Sequence, residues 1–371
     1  MPTFTGQLNY NEIYTSIFNM IISQQVFDRI SDSSELVDEA KVDGSLYGDT
    51  KLYYAADALE THAWGGDSEA TNLLAIKRAA DPEIQAITLD VFRQIDLTVD
   101  SVLTCRAFMD EGTFQSFNAI LEAMLGKTKR IYDVTTYGSF IGTDEVVAQN
   151  ETVTVPTNGT PENEAKSIAQ SLADLIVQIT KVNRKYNEYG QITKFDKSQI
   201  KIVWNSKFVN AITKKDLPAI FHKDGLFEED FKRQLPPEYF GDINSAAKVA
   251  DGTATRALEE IVITDGGGTN HHFWPGELIT ATLTAPAGKS YQQTDDVICK
   301  IYVELPKYMS GFVMQTSFFN GKSLTTNRYL TFGHNKLEHF KAYPCVTVNL
   351  AKSGTVDPVH VIVDELPAEG E

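Results

Sequence analysis

The residues best suited to chemistry gather in one run, Thr264-Asp265-Gly266-Gly267-Gly268-Thr269-Asn270-His271-His272. Three glycines can cradle a phosphate, and two histidines beside an aspartate can hold a metal ion. The spacing supports neither use. A dinucleotide-binding loop sets its glycines between a strand and a helix in a fixed pattern, and this run lacks it. Adjacent histidines point apart on a strand, whereas helical zinc pairs sit four residues apart. A surface loop is the expectation here.

The remaining candidates fail in the same way. Gly288-Lys289-Ser290 and Gly321-Lys322-Ser323 each end like a phosphate-binding loop, but Leu283 and Thr316 stand where that motif needs its first glycine. His334 and His339 flank Glu338 without a third convincing ligand. Cys105 lies in an apolar setting, SVLTCRAF, expected of a buried and inert thiol. No GxSxG or HExxH occurs, and nothing singles out an acid/base pair among the carboxylates. No catalytic, cofactor-binding or metal-binding residue is assigned, and the chain is read as a structural or binding protein rather than an enzyme. The alternative of a different class is an acidic cytosolic hydrolase using His271, His272, His334 or Asp265 at a metal.

Composition narrows the partners. The formal net charge of −17 argues against binding nucleic acid by a basic face. With 371 residues, 42% of them apolar and 22% charged, the chain can bury a sizeable core and is not disordered as a whole. Its three cysteines, Cys105, Cys299 and Cys345, show no CxxC spacing, as expected of thiols kept reduced. The N-terminus lacks a basic region followed by an apolar run, so no signal peptide is expected. No apolar stretch approaches membrane-spanning length.

The elements that would carry these residues follow from periodicity. Ile13, Ile17, Ile21 and Ile22 recur at helical spacing in an N-terminal segment read either as an arm or as a first core helix. Residues 44–57 read as a strand, 58–83 as a polar excursion, and Ile87 to Val99 as a long returning strand. Such an excursion is uncommon in a compact domain unless it is functional or disordered. Phe114, Phe117, Leu121 and Leu125 fall on one helical stripe. That predicts one long helix from Thr113 to Phe140, or two helices broken at Gly126. Residues 142–160 read as loop and short strand. Thr160 and Pro161 then open a helix running to about Tyr186. Residues 200–205 read as a buried strand, and 207–276 as the least regular region, with room for an insertion. Strands follow at Leu278–Leu283, Val297–Leu305, Phe312–Phe319, Leu324–Phe332, Cys345–Val348 and near the C-terminus. Asn320-Gly321 is a hairpin signal between two of them.

The order of these elements resembles the major capsid proteins of tailed bacteriophages, whose HK97-like shell fold is also seen in encapsulins. GDTKLYY (48–54) is similar to the family's entry into its extended loop. Residues 94–142 resemble the return strand leading into the spine helix, and 200–212 an axial-domain strand running into a short helix. The resemblance covers about residues 40–350. It implies an α+β fold divided into an N-terminal arm (1–43), an extended-loop hairpin (44–97), a peripheral domain with its spine helix (98–150), an axial domain (151–295), further peripheral strands (296–350), and a C-terminal strand with an acidic tail (351–371). Phe114, Phe117, Leu121 and Leu125 would then lie on the spine helix, and Gly48, Asp49 and Thr50 at the loop entry. Trp64, Leu73, Leu74, Ile76 and Lys77 would contact neighbouring subunits. The implied function is self-assembly into hexamers and pentamers of an icosahedral head that encloses double-stranded DNA without sequence-specific contacts. The implied location is the virion, assembled in the bacterial cytoplasm with no membrane. Implied partners are a portal and a decoration protein, and a separate scaffolding protein because only some forty residues precede Gly44. An encapsulin-like compartment is the alternative of the same fold. Physically, an excursion of about 26 residues can reach roughly 40 Å from its domain, enough to lie across an adjacent subunit.

Overall fold

The computed structural model describes residues 36–45, 48–59, 61, 76, 78–100, 111–143, 151–156, 161–213, 233–243, 255–280, 282–286 and 288–353. In chain order, helix α1 (Leu36–Ala40) runs straight into strand β1 (Lys41–Asp43), and β2 (Thr50–Ala55) and β3 (Glu83–Val99) follow. Next come the long helix α2 (Glu111–Gly142), β4 (Glu151–Pro156), α3 (Pro161–Thr180), β5 (Lys201–Asn205) and α4 (Ser206–Thr213). Short strands β6 (Gln234–Leu235), β7 (Gly241–Asp242), β8 (Thr255–Ala257), β9 (Ile261–Thr264) and β10 (Asn270–Phe273) lead to β11 (Ser290–Gln293) and β12 (Val297–Tyr302). The described chain closes with β13 (Tyr308–Asn320), β14 (Thr325–Asn335) and β15 (Cys345–Ser353). The class is α+β, as expected.

Two compact units result. The first comprises Met1–Leu52, Ala86–Gly138 and Lys307–Glu338; the second comprises Tyr53–Gln85, Ser139–Pro306 and His339–Glu371. The run 296–350, expected as one block of peripheral strands, is thus shared between the two. The end of the expected arm is not free of its domain either. Val37 and Ala40 are buried in the first unit, and β1 pairs in parallel with β13. Gly311 permits that pairing, because a Cβ there would lie 2.1 Å from the Gly44 carbonyl oxygen.

The first unit is built on a sheet of order β1-β13-β14-β3-β2. β14 runs antiparallel to both β13 and β3. The helix expected at residues 113–140 is one continuous helix, unbroken at Gly126. One glycine in a helix interior costs only about 1 kcal/mol, less than the surrounding turns supply. Leu121, Leu125 and Tyr132 form its buried stripe, and from Tyr137 to Gly142 every residue is buried. Phe114 and Phe117 lie in the same helix, with side chains outside the described residues. The hairpin expected at Asn320-Gly321 is present, but its loop has four residues, since Asn320 pairs with Thr325. Leu324 takes a positive φ of 55° to close it.

The second unit contains a sheet of order β4-β15-β12-β5-β6. β12 is its centre and every residue of it is buried. α3 lays Ile168, Leu172, Leu175, Ile176 and Ile179 into the core shared with Ile202, Trp204, Ile301 and Val346. α3 stops at Thr180 rather than near Tyr186. The Asn183 side-chain amide donates to the carbonyls of Gln178 and Lys181, so it satisfies the helix end early. Residues 278–283 do not form the expected strand. They make a single bridge from Leu278 to Arg256, then a turn in which Leu283 N–H donates to Thr280. A second small core, with Ala257, Ile261, Ile263, Phe273 and Ile279, holds the short strands of 255–280. The helix expected near residues 13–22 and the C-terminal strand lie outside the described residues.

Candidate functional site

The turn before β2, where Gly48, Asp49 and Thr50 lie, is built by local hydrogen bonds. Gly48 adopts φ +75°, which a residue with a Cβ rarely does. The Asp49 carboxylate then accepts from the Ser45 backbone N–H and hydroxyl at 3.0 and 3.2 Å. These bonds favour the charged form and hold its pKa below the usual carboxylate range. The Asp49 carbonyl accepts from Leu89 N–H at 2.9 Å, and Thr50 Oγ1 lies 3.0 Å from Thr88 Oγ1. The three residues singled out at the entry therefore form one turn that sets β2 beside β3. Gly44, Ser45, Gly48 and Asp49 precede β2 and do not extend the strand, contrary to the expected start at residue 44.

Past β2 the chain is held by a residue that sequence reasoning missed. Asp57 accepts from the backbone N–H of Ile192 and of Ala58, both at 2.8 Å, and from Arg184 at 2.9 Å. The backbone N–H groups chiefly depress its pKa. Two of its partners, Arg184 and Ile192, lie more than 120 positions away, so no local pattern marks it. Beyond this anchor, Leu59 and Ile76 are exposed. Trp64, Leu73, Leu74 and Lys77 lie outside the described residues.

Of the four metal-hydrolase residues, only His271 and Asp265 are brought together. His271 Nε2 lies 3.1 Å from Asp265, whereas His272 Nε2 lies 2.6 Å from Glu260. Asp265 also closes its own glycine turn by accepting from the Gly267 and Thr269 backbone N–H groups, and the Thr269 bond is the main cause of its lowered pKa. His334 belongs to the other unit. There, Nδ1–H donates to the Asn335 carbonyl, which can only accept, so Nε2 accepts from the Tyr132 hydroxyl at 2.9 Å. Burial pushes the His334 pKa down. Beside it, Tyr308 donates to Asp133 at 2.6 Å, and Lys129 pairs with the other carboxylate oxygen. This network binds α2 to β13 and β14. Among the described residues, no group of three or more His, Cys, Asp or Glu side chains is placed to hold a metal.

His339 is equally remote from metal chemistry. Its ring stacks on Phe140 and Tyr302, and burial lowers its pKa to about 3. Its Nδ1 lies 3.5 Å from the buried Cys345 thiol. Lys300, only 1% exposed, donates to the Thr143 carbonyl just past the C-terminus of α2, where a cation complements the helix dipole. Cys299 is buried, and burial raises its pKa, as expected of an inert thiol. Gly288-Lys289-Ser290 holds no phosphate-type geometry, because Lys289 pairs with Glu259 at 2.6 Å. Cys105 lies outside the described residues. No described helix is long and apolar enough to cross a membrane.

What the surface does offer is exposed apolar side chains on a sheet. Val313, Met314, Phe318 and Phe319 on β13 are each about half or more exposed, as are Leu52 and Tyr54 on β2 and Ile84 on β3. A shallow polar hollow of about 380 Å³ lies on β13 and β14, lined by Gln315, Thr316, Ser317, Thr326 and Arg328. These side chains leave apolar area exposed at both ends of the sheet among the described residues.

No protein-family model matches the chain, and no curated protein matches it in sequence. Solved structures do match. A chain from the capsid structure of Staphylococcus phage Andhra superposes with a TM-score of 0.58 at 11% identity, covering 94% of this chain and 94% of that one. A chain from a structure described as head fiber and inner core protein gp22 of native bacteriophage P68 gives a TM-score of 0.58 at 9% identity, covering 88% and 89%. At such identities the likeness is one of fold, and the fold is that of chains from phage particles.

Proposed function

We propose that this chain is a major capsid protein of a tailed phage. It assembles into hexamers and pentamers that form an icosahedral head around double-stranded DNA. The observation that carries this reading is the fold match over 94% of both chains to a chain of a phage capsid structure. The exposed apolar residues of β2, β3 and β13 support it as surface reserved for neighbours. On this reading the first unit, with α2 as its spine, is the peripheral domain, and the sheet centred on β12 with α3 and α4 belongs to the axial domain. The segment 56–82 is the extended loop, and Trp64, Leu73, Leu74, Ile76 and Lys77 are its contacts to the adjacent subunit. The formal charge of −17 suits a wall that does not trap packaged phosphate. Scaffolding, portal and decoration proteins are the expected partners, and the virion the expected location. An encapsulin-like compartment shares the fold, but no described feature favours it.

The test is electron microscopy of the purified chain, alone and with candidate scaffold. Shells, tubes or capsomers are expected. A clean monomer at high concentration under both conditions contradicts the reading. Deleting 60–80 is expected to abolish assembly and leave a folded subunit. Assembly that survives the deletion removes the loop from the contact.

A further inference from the structure

β13 has an open outer edge. Among the described residues only β1 lies on that side, and its pairing reaches no further than Ser310. A bulge follows between Gly311 and Met314, with Phe312 at φ 51°. From there to Asn320, β13 runs in unbroken register with β14 on its inner side only. Every residue from Val313 to Phe319 is exposed. Folded proteins protect such an edge with charge, proline or a covering segment. The stretch from Gly311 to Asn320 contains neither proline nor a charged residue.

The order of residues on this edge says what fits it. Val313-Met314-Gln315-Thr316-Ser317-Phe318-Phe319 reads the same in character from either end, with two apolar residues, three polar ones and two apolar ones. In an antiparallel pair of two such strands centred on Thr316, Val313 meets Phe319, Met314 meets Phe318, Gln315 meets Ser317 and Thr316 meets its own copy. Each is a favourable cross-strand partner: β-branched with aromatic, thioether with aromatic, polar with polar. Residues directly opposite share a sheet face, so the match holds on both faces together. No like charges meet. We propose that the outer edge of β13 pairs with the β13 edge of a second copy of this chain, antiparallel about a two-fold axis at Thr316. The contact is isologous and closes on two subunits. It rests on the strand alone and does not need the shell reading.

Register-specific crosslinking tests it. Thr316→Cys places two thiols directly opposite across the axis, at a Cα separation of about 4.5–5.5 Å that a disulfide spans. Under mild oxidation Thr316→Cys is expected to give a covalent dimer on a non-reducing gel, above the background of the unsubstituted chain. Val313→Cys alone is expected to give none, because its own copy lies about 20 Å away along the strands at ~3.4 Å per residue. Val313→Cys mixed with Phe319→Cys is expected to crosslink. Absence of the Thr316→Cys dimer overturns the contact, as does Val313→Cys alone crosslinking equally well. A Thr316→Cys dimer seen only after removing residues 1–35 also overturns it, since the edge would then be held by the chain's own N-terminal segment. Shells that assemble with uncrosslinked Thr316→Cys overturn this contact and leave the capsid reading standing. Crosslinked dimers without shells support the contact and contradict that reading.

Discussion

Every residue of β12 is buried, from Val297 to Tyr302, whereas every residue of β13 from Val313 to Phe319 is exposed. Both strands belong to five-stranded sheets and both carry large apolar side chains. Hydrophobicity therefore does not separate them. The difference is what the same chain supplies as a cover. β12 has strands on both sides, and α3 and α4 contribute Leu172, Ile179 and Val209 to its core. Among the described residues, the outer half of β13 has a partner strand on one side only. The first sheet is complete within one molecule. The second leaves apolar area in water, at an unfavourable ~25 cal/mol per Å², until something covers it. Within the second sheet the boundary is local. Tyr308, Met309 and Ser310 are buried, with Tyr308 and Ser310 bonded to Asp133 and Lys129, and exposure begins past the bulge at Gly311.

The largest effect expected from this contrast comes from equal truncations in the two places. Trp204 on β5 is 2% exposed in the core beside β12. Trp204→Ala is expected to cost about 3–5 kcal/mol, through lost transfer free energy and the cavity left behind. Phe318→Ala on β13 is expected to change the stability of the isolated chain by no more than about 0.5 kcal/mol. Its cost should appear in association instead. Urea unfolding of both variants at a concentration where the chain is dispersed checks this. A loss above about 2 kcal/mol for Phe318→Ala would mean that the edge is already covered within one chain.

A smaller effect separates the regions by pH. His339 lies in the second unit, its pKa lowered from 6.5 to about 3 by burial and then by the charge of Lys300. The unfolded chain binds this proton near pH 6.5 and the folded chain does not. Stability is therefore full above pH 6.5 and is lost as pH falls from there toward 3, by up to about 1.4 kcal/mol per pH unit from this residue. His339→Phe keeps a ring to stack on Phe140 and Tyr302 and removes the titration. Between pH 6.5 and 5, above the range of ordinary carboxylates, the variant is expected to show a shallower decline than the parent in urea unfolding. Equal slopes would mean that the His339 ring is already hydrated.

The sequence was legible where a pattern is local. The long helix at 113–140, the strand at 200–205, the return strand and the hairpin near Asn320 all follow from spacing over a few residues, and each is present within a few positions. The turn at Gly48, Asp49 and Thr50 is also largely local, since its bonds join residues no more than four apart, save those to Thr88 and Leu89. What spacing does not reveal is pairing between distant segments. β12 and β15 bond beside β5 rather than with β13 and β14, and no periodicity distinguishes the two outcomes. Asp57 was missed for the same reason, because its value comes from Arg184 and Ile192. The end of α3 was misplaced because basic residues after Thr180 look like a favourable last turn, while Asn183 had already closed it.

The smallest effect tests how each region holds its backbone. Gly126 is exposed in the middle of α2, and a Cβ added there meets nothing within 4 Å. Gly126→Ala is therefore a change of helix propensity without a change of packing, expected to stabilise by about 0.5–1 kcal/mol. The gain arises because alanine leaves the unfolded backbone fewer states to lose. It should be confined to the first unit, where Gly126 lies. Hydrogen exchange can separate the two units. Amides of α2 are expected to gain protection by about two- to five-fold, as that free energy implies at 1.4 kcal/mol per tenfold, while amides of β12 and β15 stay unchanged. A gain spread equally over both units would show that they unfold as one, and that β13 is uncovered in a molecule whose stability is nonetheless shared throughout.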